Sequence, residues 1–138
     1  MTLTFRARIQ GGRIGAMPSK SAAHRLLICA AFADAPTEIL CPTISEDITA
    51  TARCLCALGA DIRRTDAGFT VIPATEKTTD AALDCGESGS TLRFLLPVTA
   101  ALGIPARFIR RGRLPHRPLS PLYEEMIRHG AVLPADPE

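Results

Sequence analysis

The chain has 138 residues, 46% of them hydrophobic, and 16 Lys plus Arg against 14 Asp plus Glu give a net charge of +2. That length suits one domain burying about two-thirds of its unfolded surface, and the composition excludes intrinsic disorder. So small a net charge excludes a global field driving DNA or membrane binding, and five Phe, one Tyr and no Trp argue against a stacking platform for single-stranded nucleic acid.

No apolar run approaches the ~18 residues of a membrane span. Residues 1–10 lack the apolar core of a signal peptide, so a cytoplasmic location is expected. Five cysteines (Cys29, Cys41, Cys54, Cys56, Cys85) form no regular framework. Cys54 and Cys56 would point to different faces of one helix, which disfavours a shared metal, and no metal or other cofactor is expected. The cysteines read as buried small hydrophobes in a reducing cytosol.

In chain order, residues 5–9 alternate and predict a strand, and residues 10–17 are Gly-rich and irregular. A helix is expected over 18–33 with Ser19 as its N-cap, then a short strand over 37–41 after Pro36. Ser45 or Asp47 caps a second helix whose apolar stripe is Ile48, Ala52, Leu55 and Leu58 or Gly59; Gly59 can close it in a left-handed conformation. Residues 60–64 and 68–72 predict a hairpin, and 73–79 a polar linker. The pattern then restarts. A strand over 81–84 leads to a helix over 90–102, broken in mid-course at Pro97, which cannot donate to the carbonyl of Arg93. A strand over 106–110 leads to a helix from 118 to about 129, with Leu119, Leu122, Tyr123, Met126 and Ile127 on its apolar face. Residues 131–133 begin a further strand.

This is an internal repeat. Arg25-Leu26-Leu27 falls on Arg93-Phe94-Leu95, and Gly59-Ala60-Asp61-Ile62 on Gly130-Ala131-Val132-Leu133. Repeat units bury their apolar faces against each other, usually in sets larger than two. The expected organisation is an opening strand and crossover over 1–15, a first unit over 16–80 and a second over 81–138. The second would be cut short, making an incomplete α/β domain of a longer repeat protein.

The chemistry concentrates in three places. Residues 85–93, Cys-Gly-Glu-Ser-Gly-Ser-Thr-Leu-Arg, read as a turn opening a helix with Ser88 as N-cap. Free amide donors and the positive helix end there suit a phosphate or carboxylate, with Arg93 adding fixed charge. An ordinary strand-to-helix turn with surface serines has the same spacing. Superposing the repeats brings Ser19-Lys20-Ser21 onto Ser88-Gly89-Ser90, each followed by an arginine, Arg25 or Arg93. Two positive helix ends at equivalent places strengthen the anion-site reading. Residues 106–118 carry Arg107, Arg110, Arg111, Arg113, His116 and Arg117; Arg113 and Arg117 precede a helix start, where a guanidinium can grip an oxyanion with two hydrogen bonds. A solvated surface or a nonspecific RNA contact is the competing reading. His24 and His129 read as surface or edge residues.

Three segments together resemble the 5-enolpyruvylshikimate-3-phosphate synthase family (3-phosphoshikimate 1-carboxyvinyltransferases). They are Pro18-Ser19-Lys20-Ser21-Ala22-Ala23-His24-Arg25, the stretch from Cys85 to Pro97, and Arg113-Leu114-Pro115-His116-Arg117-Pro118-Leu119, supported by Ser45-Glu46-Asp47-Ile48 leading to Leu58-Gly59-Ala60. The likeness covers nearly the whole chain but only the front part of the family's enzyme. It implies tandem β-α-β-α-β-β units of the inside-out barrel type, the opening strand belonging to the second domain. It also implies transfer of the enolpyruvyl group of phosphoenolpyruvate to the 5-hydroxyl of shikimate 3-phosphate, a step of aromatic amino acid biosynthesis. By position, Lys20 would contact phosphoenolpyruvate near the reacting hydroxyl. Ser21 and Arg25 would bind shikimate 3-phosphate. Gly89, Ser90 and Arg117 would hold the phosphoenolpyruvate phosphate. Glu87 stands where many members have Asn and is expected to point away from the anion. The acidic proton-transfer residues would come from the missing C-terminal domain, so the chain alone is expected to be inactive.

Two other readings remain at this level. The sister transferase acting on UDP-N-acetylglucosamine has Asn after the lysine and usually a reactive Cys in the arginine loop; here Ser21 follows Lys20 and no Cys follows Cys85. A non-catalytic anion- or RNA-binding repeat module is disfavoured by low net charge and few aromatics.

Overall fold

A computed structural model describes residue 4 and residues 11–13, 18–76, 78 and 80–134. The strand predicted at 5–9 and most of the opening segment 1–15 lie outside these residues. Nine elements follow in order: α1 (Lys20–Ala31), β1 (Thr37–Leu40), α2 (Glu46–Ala57), β2 (Asp61–Thr65), β3 (Gly68–Ile72), β4 (Ala81–Gly86), α3 (Gly89–Ala101), β5 (Ala106–Arg110) and α4 (Leu122–Arg128).

The first three helices start in the same way. The Oγ atoms of Ser19, Ser45 and Ser88 accept from the amides of Ala22, Ile48 and Thr91 at 3.3, 3.4 and 3.2 Å, each satisfying one otherwise unpaired first-turn donor. Ser45, not Asp47, is therefore the cap of α2, which leaves Asp47 in the first turn, where a carboxylate complements the helix dipole. Gly59 (φ +105) stops α2 as its position after the apolar stripe predicts.

The strands form two sheets. One is antiparallel in the order β1-β3-β2, β2 and β3 being the predicted hairpin; the other pairs β4 with β5 in parallel, with an irregularity between Asp84 and Gly86. The α/β class expected from the pattern is the one observed. Between the sheets lies α2, packed against α1, α3, β2 and β4. Leu27, Ile48, Leu55, Leu58, Val71, Leu83, Leu92 and Leu95 fill the core, each no more than 2% exposed.

Three expectations need correction. The helix predicted to break at Pro97 runs unbroken as α3; burial of Leu92, Leu95 and Thr99 on its inner face outweighs one lost backbone bond. The last helix starts at Leu122, not 118, because Ser120 precedes Pro121 and a residue before proline is steered out of the helical region. Residues 131–133 form no strand. The Ala131 amide donates to the carbonyl of Met126, Val132 is 99% exposed, and no described strand lies alongside to form a ladder. A mostly apolar cavity of about 750 Å³ lies between α3, β5 and α4, bordered by Leu96, Phe108, Tyr123 and Met126.

Candidate anion-binding site

The N-terminal turns of α1, α2 and α3 meet. Lys20, the first residue of α1, places Nζ 2.5 Å from Oδ2 of Asp47 in the first turn of α2. The Asp47 carbonyl oxygen in turn lies 3.3 Å from Oγ1 of Thr91 in the first turn of α3. Arg25, in the second turn of α1, stacks its guanidinium 4.7 Å above the Phe94 ring of α3 and donates from Nη1 to the Ser21 carbonyl oxygen at 2.9 Å. Cation–π contact fixes the plane of that guanidinium and leaves other N–H groups free.

Beneath the surface runs a polar chain. Nδ1 of His24 is 2.7 Å from Oγ1 of Thr51, which is 2.7 Å from Oγ1 of Thr91, which is 2.7 Å from Oγ of Ser88. All four residues are buried, at 0–2% exposure, and the chain ties α1, α2 and the cap of α3 together. His24 was expected at the surface. It sits on the inner face because it falls three residues before Leu27 and seven before Ala31, on the helix's apolar stripe. Burial lowers its pKa below the ordinary 6.5; nearby Asp47 opposes this, and Lys20 and Arg25 reinforce it.

At the start of α3, the Thr91 amide is bonded to the Ser88 side chain and the Leu92 amide to the Ser88 carbonyl. No partner for the Gly89 and Ser90 amides occurs among the described residues. Gly89 is hemmed by two cations: a Cβ built there would lie 2.8 Å from Nη1 of Arg93 and 3.2 Å from Nη1 of Arg117. Arg93 is held by hydrogen bonds to the carbonyls of Gly89 (3.4 Å) and Pro118 (2.7 Å), so it draws the arginine loop against the helix end. Leu114, fully buried, anchors the middle of that loop in the core.

The arrangement brings Gly89, Ser90 and Arg117 together at one helix end, and Lys20, Ser21 and Arg25 together at the neighbouring one. Asp47 and Phe94 are the links between the two groups. Arg113 is exposed. Arg111 is taken up by a bidentate pair with Asp84, at 2.8 Å from Nη2 and 3.2 Å from Nε, and it holds the Asp84 carboxyl well down, at about 2. The carboxylate of Glu87 lies against Gly112 (φ +54), where any Cβ would collide with it, so it is turned onto the backbone of the arginine loop. His129 is exposed, as expected.

Sequence reading missed Asp47 as the partner of Lys20, and it missed the His24–Thr51–Thr91 chain. A signal existed: Thr51 lies three residues after Ile48 and four before Leu55, inside an apolar stripe, where a hydroxyl needs a partner. Among the described residues no group of three or more His, Cys, Asp and Glu could hold a metal, and no helix is long and apolar enough to cross a membrane.

Comparison with known proteins gives one answer. The sequence pattern of the EPSP synthase (3-phosphoshikimate 1-carboxyvinyltransferase) family matches residues 5–134. A 3-phosphoshikimate 1-carboxyvinyltransferase of Clostridium botulinum (strain Eklund 17B / Type B) is 43% identical over 125 residues, covering 86% of this chain and 29% of the relative. One of Clostridioides difficile (strain 630) is 37% identical over 124 residues, covering 82% and 28%. Two structures of the EPSP synthase of Acinetobacter baumannii share the fold, with TM-scores of 0.73 and 0.75 at 22% and 24% identity, covering 91% and 88% of this chain but 30% and 28% of theirs. The chain thus spans under a third of the length of the proteins it matches. With the family pattern running through nearly every described element, the chain belongs to the EPSP synthase family.

Proposed function

We propose that this chain carries the half-site for shikimate 3-phosphate and phosphoenolpyruvate of an enolpyruvyl transfer. In that reaction the 5-hydroxyl of shikimate 3-phosphate adds to C2 of phosphoenolpyruvate while C3 is protonated, and phosphate then leaves the tetrahedral intermediate. The observation that supports the reading most is the start of α3, where two unpartnered amides and the guanidinium groups of Arg93 and Arg117 surround a position kept free of a Cβ by Gly89. Donors fixed before the ligand arrives lose nothing to reorganisation and favour an anion strongly. Gly89, Ser90 and Arg117 would take the phosphate of phosphoenolpyruvate. Ser21 and Arg25 would take shikimate 3-phosphate. Lys20, its charge oriented by Asp47, would stand beside the reacting hydroxyl and stabilise charge developing there. Transfer of the protons requires acidic groups from the remaining polypeptide of the enzyme, its natural partner, and the reading places the protein in the cytoplasm.

Titration of the 138-residue chain with shikimate 3-phosphate at low salt tests this directly. Saturable binding is expected, weakened about 10-fold or more by Lys20→Ala or Arg25→Ala, since hydrogen bonds to charged groups contribute about 1.5–3 kcal/mol each. Gly89→Ala should weaken inorganic phosphate binding without unfolding α3, because its Cβ would displace only the ends of two flexible arginines. Unchanged affinity in these variants overturns the assignment. Steady phosphate release from both substrates by this chain alone would refute the division of labour.

A further inference from the structure

The hydrogen bonds of the three-helix junction have a direction that distances alone leave open. Each hydroxyl owns one proton. Thr91 Oγ1 lies 2.7 Å from both Thr51 Oγ1 and Ser88 Oγ, and 3.3 Å from the Asp47 carbonyl. Thr91 Oγ1 donates to Ser88 Oγ, the nearer of its two acceptors, so its one proton is spent there. Thr51 must then donate to Thr91, and Nδ1–H of His24 to Thr51, which leaves Nε2 a bare lone pair. Nε2 is buried and has no hydrogen-bond partner among the described residues. An orphaned buried N–H is rarer than an under-satisfied acceptor.

We infer that His24 is a positioning residue for the anion site, held as the Nδ1–H tautomer at the head of a one-way donor chain through Thr51 and Thr91 to Ser88. The chain sets α1 and α2 against the cap of α3 and so fixes Lys20 and Arg25 relative to the Gly89 amide cradle. Ser88 Oγ, accepting from both the amide and the hydroxyl of Thr91, keeps its own proton uncommitted next to the free amides of Gly89 and Ser90. The functional part of this inference rests on the half-site reading; the direction of the chain does not.

Nitrogen-15 NMR of the full chain labelled at its three histidines, with His24 assigned through His24→Gln, reads the tautomer directly. The expected spectrum has a proton on Nδ1 and a bare Nε2 in a neutral ring at pH 7.5. A proton on Nε2 with a bare Nδ1 overturns the donor order. Thr51→Val cuts the chain with little change of shape, and inorganic phosphate affinity should fall about 10-fold; Thr51→Ser should restore it. Unchanged phosphate affinity in a folded Thr51→Val protein, with the expected tautomer present, overturns the positioning role. Failure of the wild-type chain to bind either phosphate or shikimate 3-phosphate would instead count against the half-site reading, because the histidine spectrum is read without ligand.

Discussion

Asp84 illustrates how much one side chain can be held by its neighbours at this surface. It closes β4 with a bidentate grip from Arg111, and its Oδ1 accepts from the Gly86 amide at 3.0 Å, just before the turn into α3. The Arg111 guanidinium and that amide hold its pKa at about 2, below the ordinary 3.8. A carboxyl depressed in the folded state stabilises the fold above its unfolded pKa, and that contribution disappears as pH falls from about 3.8 through about 2. Asp84→Asn should therefore lower the melting temperature at pH 7 by a few degrees at most, the pair being solvent-facing, and the gap to wild type should close by pH 2. A gap that persists unchanged to pH 2 would sink the linkage. The cysteines, all expected to be buried, divide by environment: Cys29 and Cys56 sit on exposed faces of their helices, and only Cys41, Cys54 and Cys85 are buried. Cys54 on α2 and Cys85 on β4 are both fully buried, and their mutual hydrogen bond together with burial pushes the Cys85 thiol up. In the native protein a disulfide reagent should titrate Cys29 and Cys56 quickly and leave Cys41, Cys54 and Cys85 until denaturant is added. Five fast thiols would contradict that burial.

Among the elements, the β2–β3 hairpin depends on one glycine. Gly68 (φ +150) begins β3 directly against β1, and a Cβ there would run into the carbonyl of Ile39 and the amide of Cys41, both backbone. Backbone cannot swing aside as a side chain does. Gly68→Ala should cost about 2 kcal/mol or more, read by denaturant unfolding, through separation of β1 from β3. A neutral substitution would mean that this pairing contributes little. Local chemistry predicted the elements well where it acts alone: Ser19 and Ser88 as caps, Gly59 as a stop, residues 68–72 as a strand. It failed where a distant partner decides. Pro97 stays inside α3 because Leu92, Leu95 and Thr99 are buried, and residues 131–133 lack a ladder because no described strand lies beside them. At the site, the residues with charge or glycine were readable from spacing. The histidine and threonines that join the helices were not, since their partners lie 27 and 40 residues away.

At the scale of the whole molecule, the sheets of three and two strands formed by the described residues share no hydrogen-bonded edge among those residues, and cooperativity has to come from what lies between them. That is α2, which packs on both, touching β2 on one side and β4 on the other while also bracing α1 and α3. Its inner face carries Ile48, Thr51, Ala52, Cys54 and Leu55, all buried, so it serves the core and the polar junction together. Loss of packing on α2 should consequently loosen both sheets and the anion site in one step, not one half at a time. Leu55→Ala removes a fully buried side chain at the middle of this face, and a cavity of that kind costs about 2–5 kcal/mol. Hydrogen exchange measured residue by residue should speed up in β3 and β4 by the same factor, since both would open only through the common unfolding of α2. Exchange that rises in β3 while β4 keeps its wild-type protection would mean that the two sheets fold independently. The junction of α1, α2 and α3 would then owe its alignment to the His24–Thr51–Thr91–Ser88 chain alone, without support from the core.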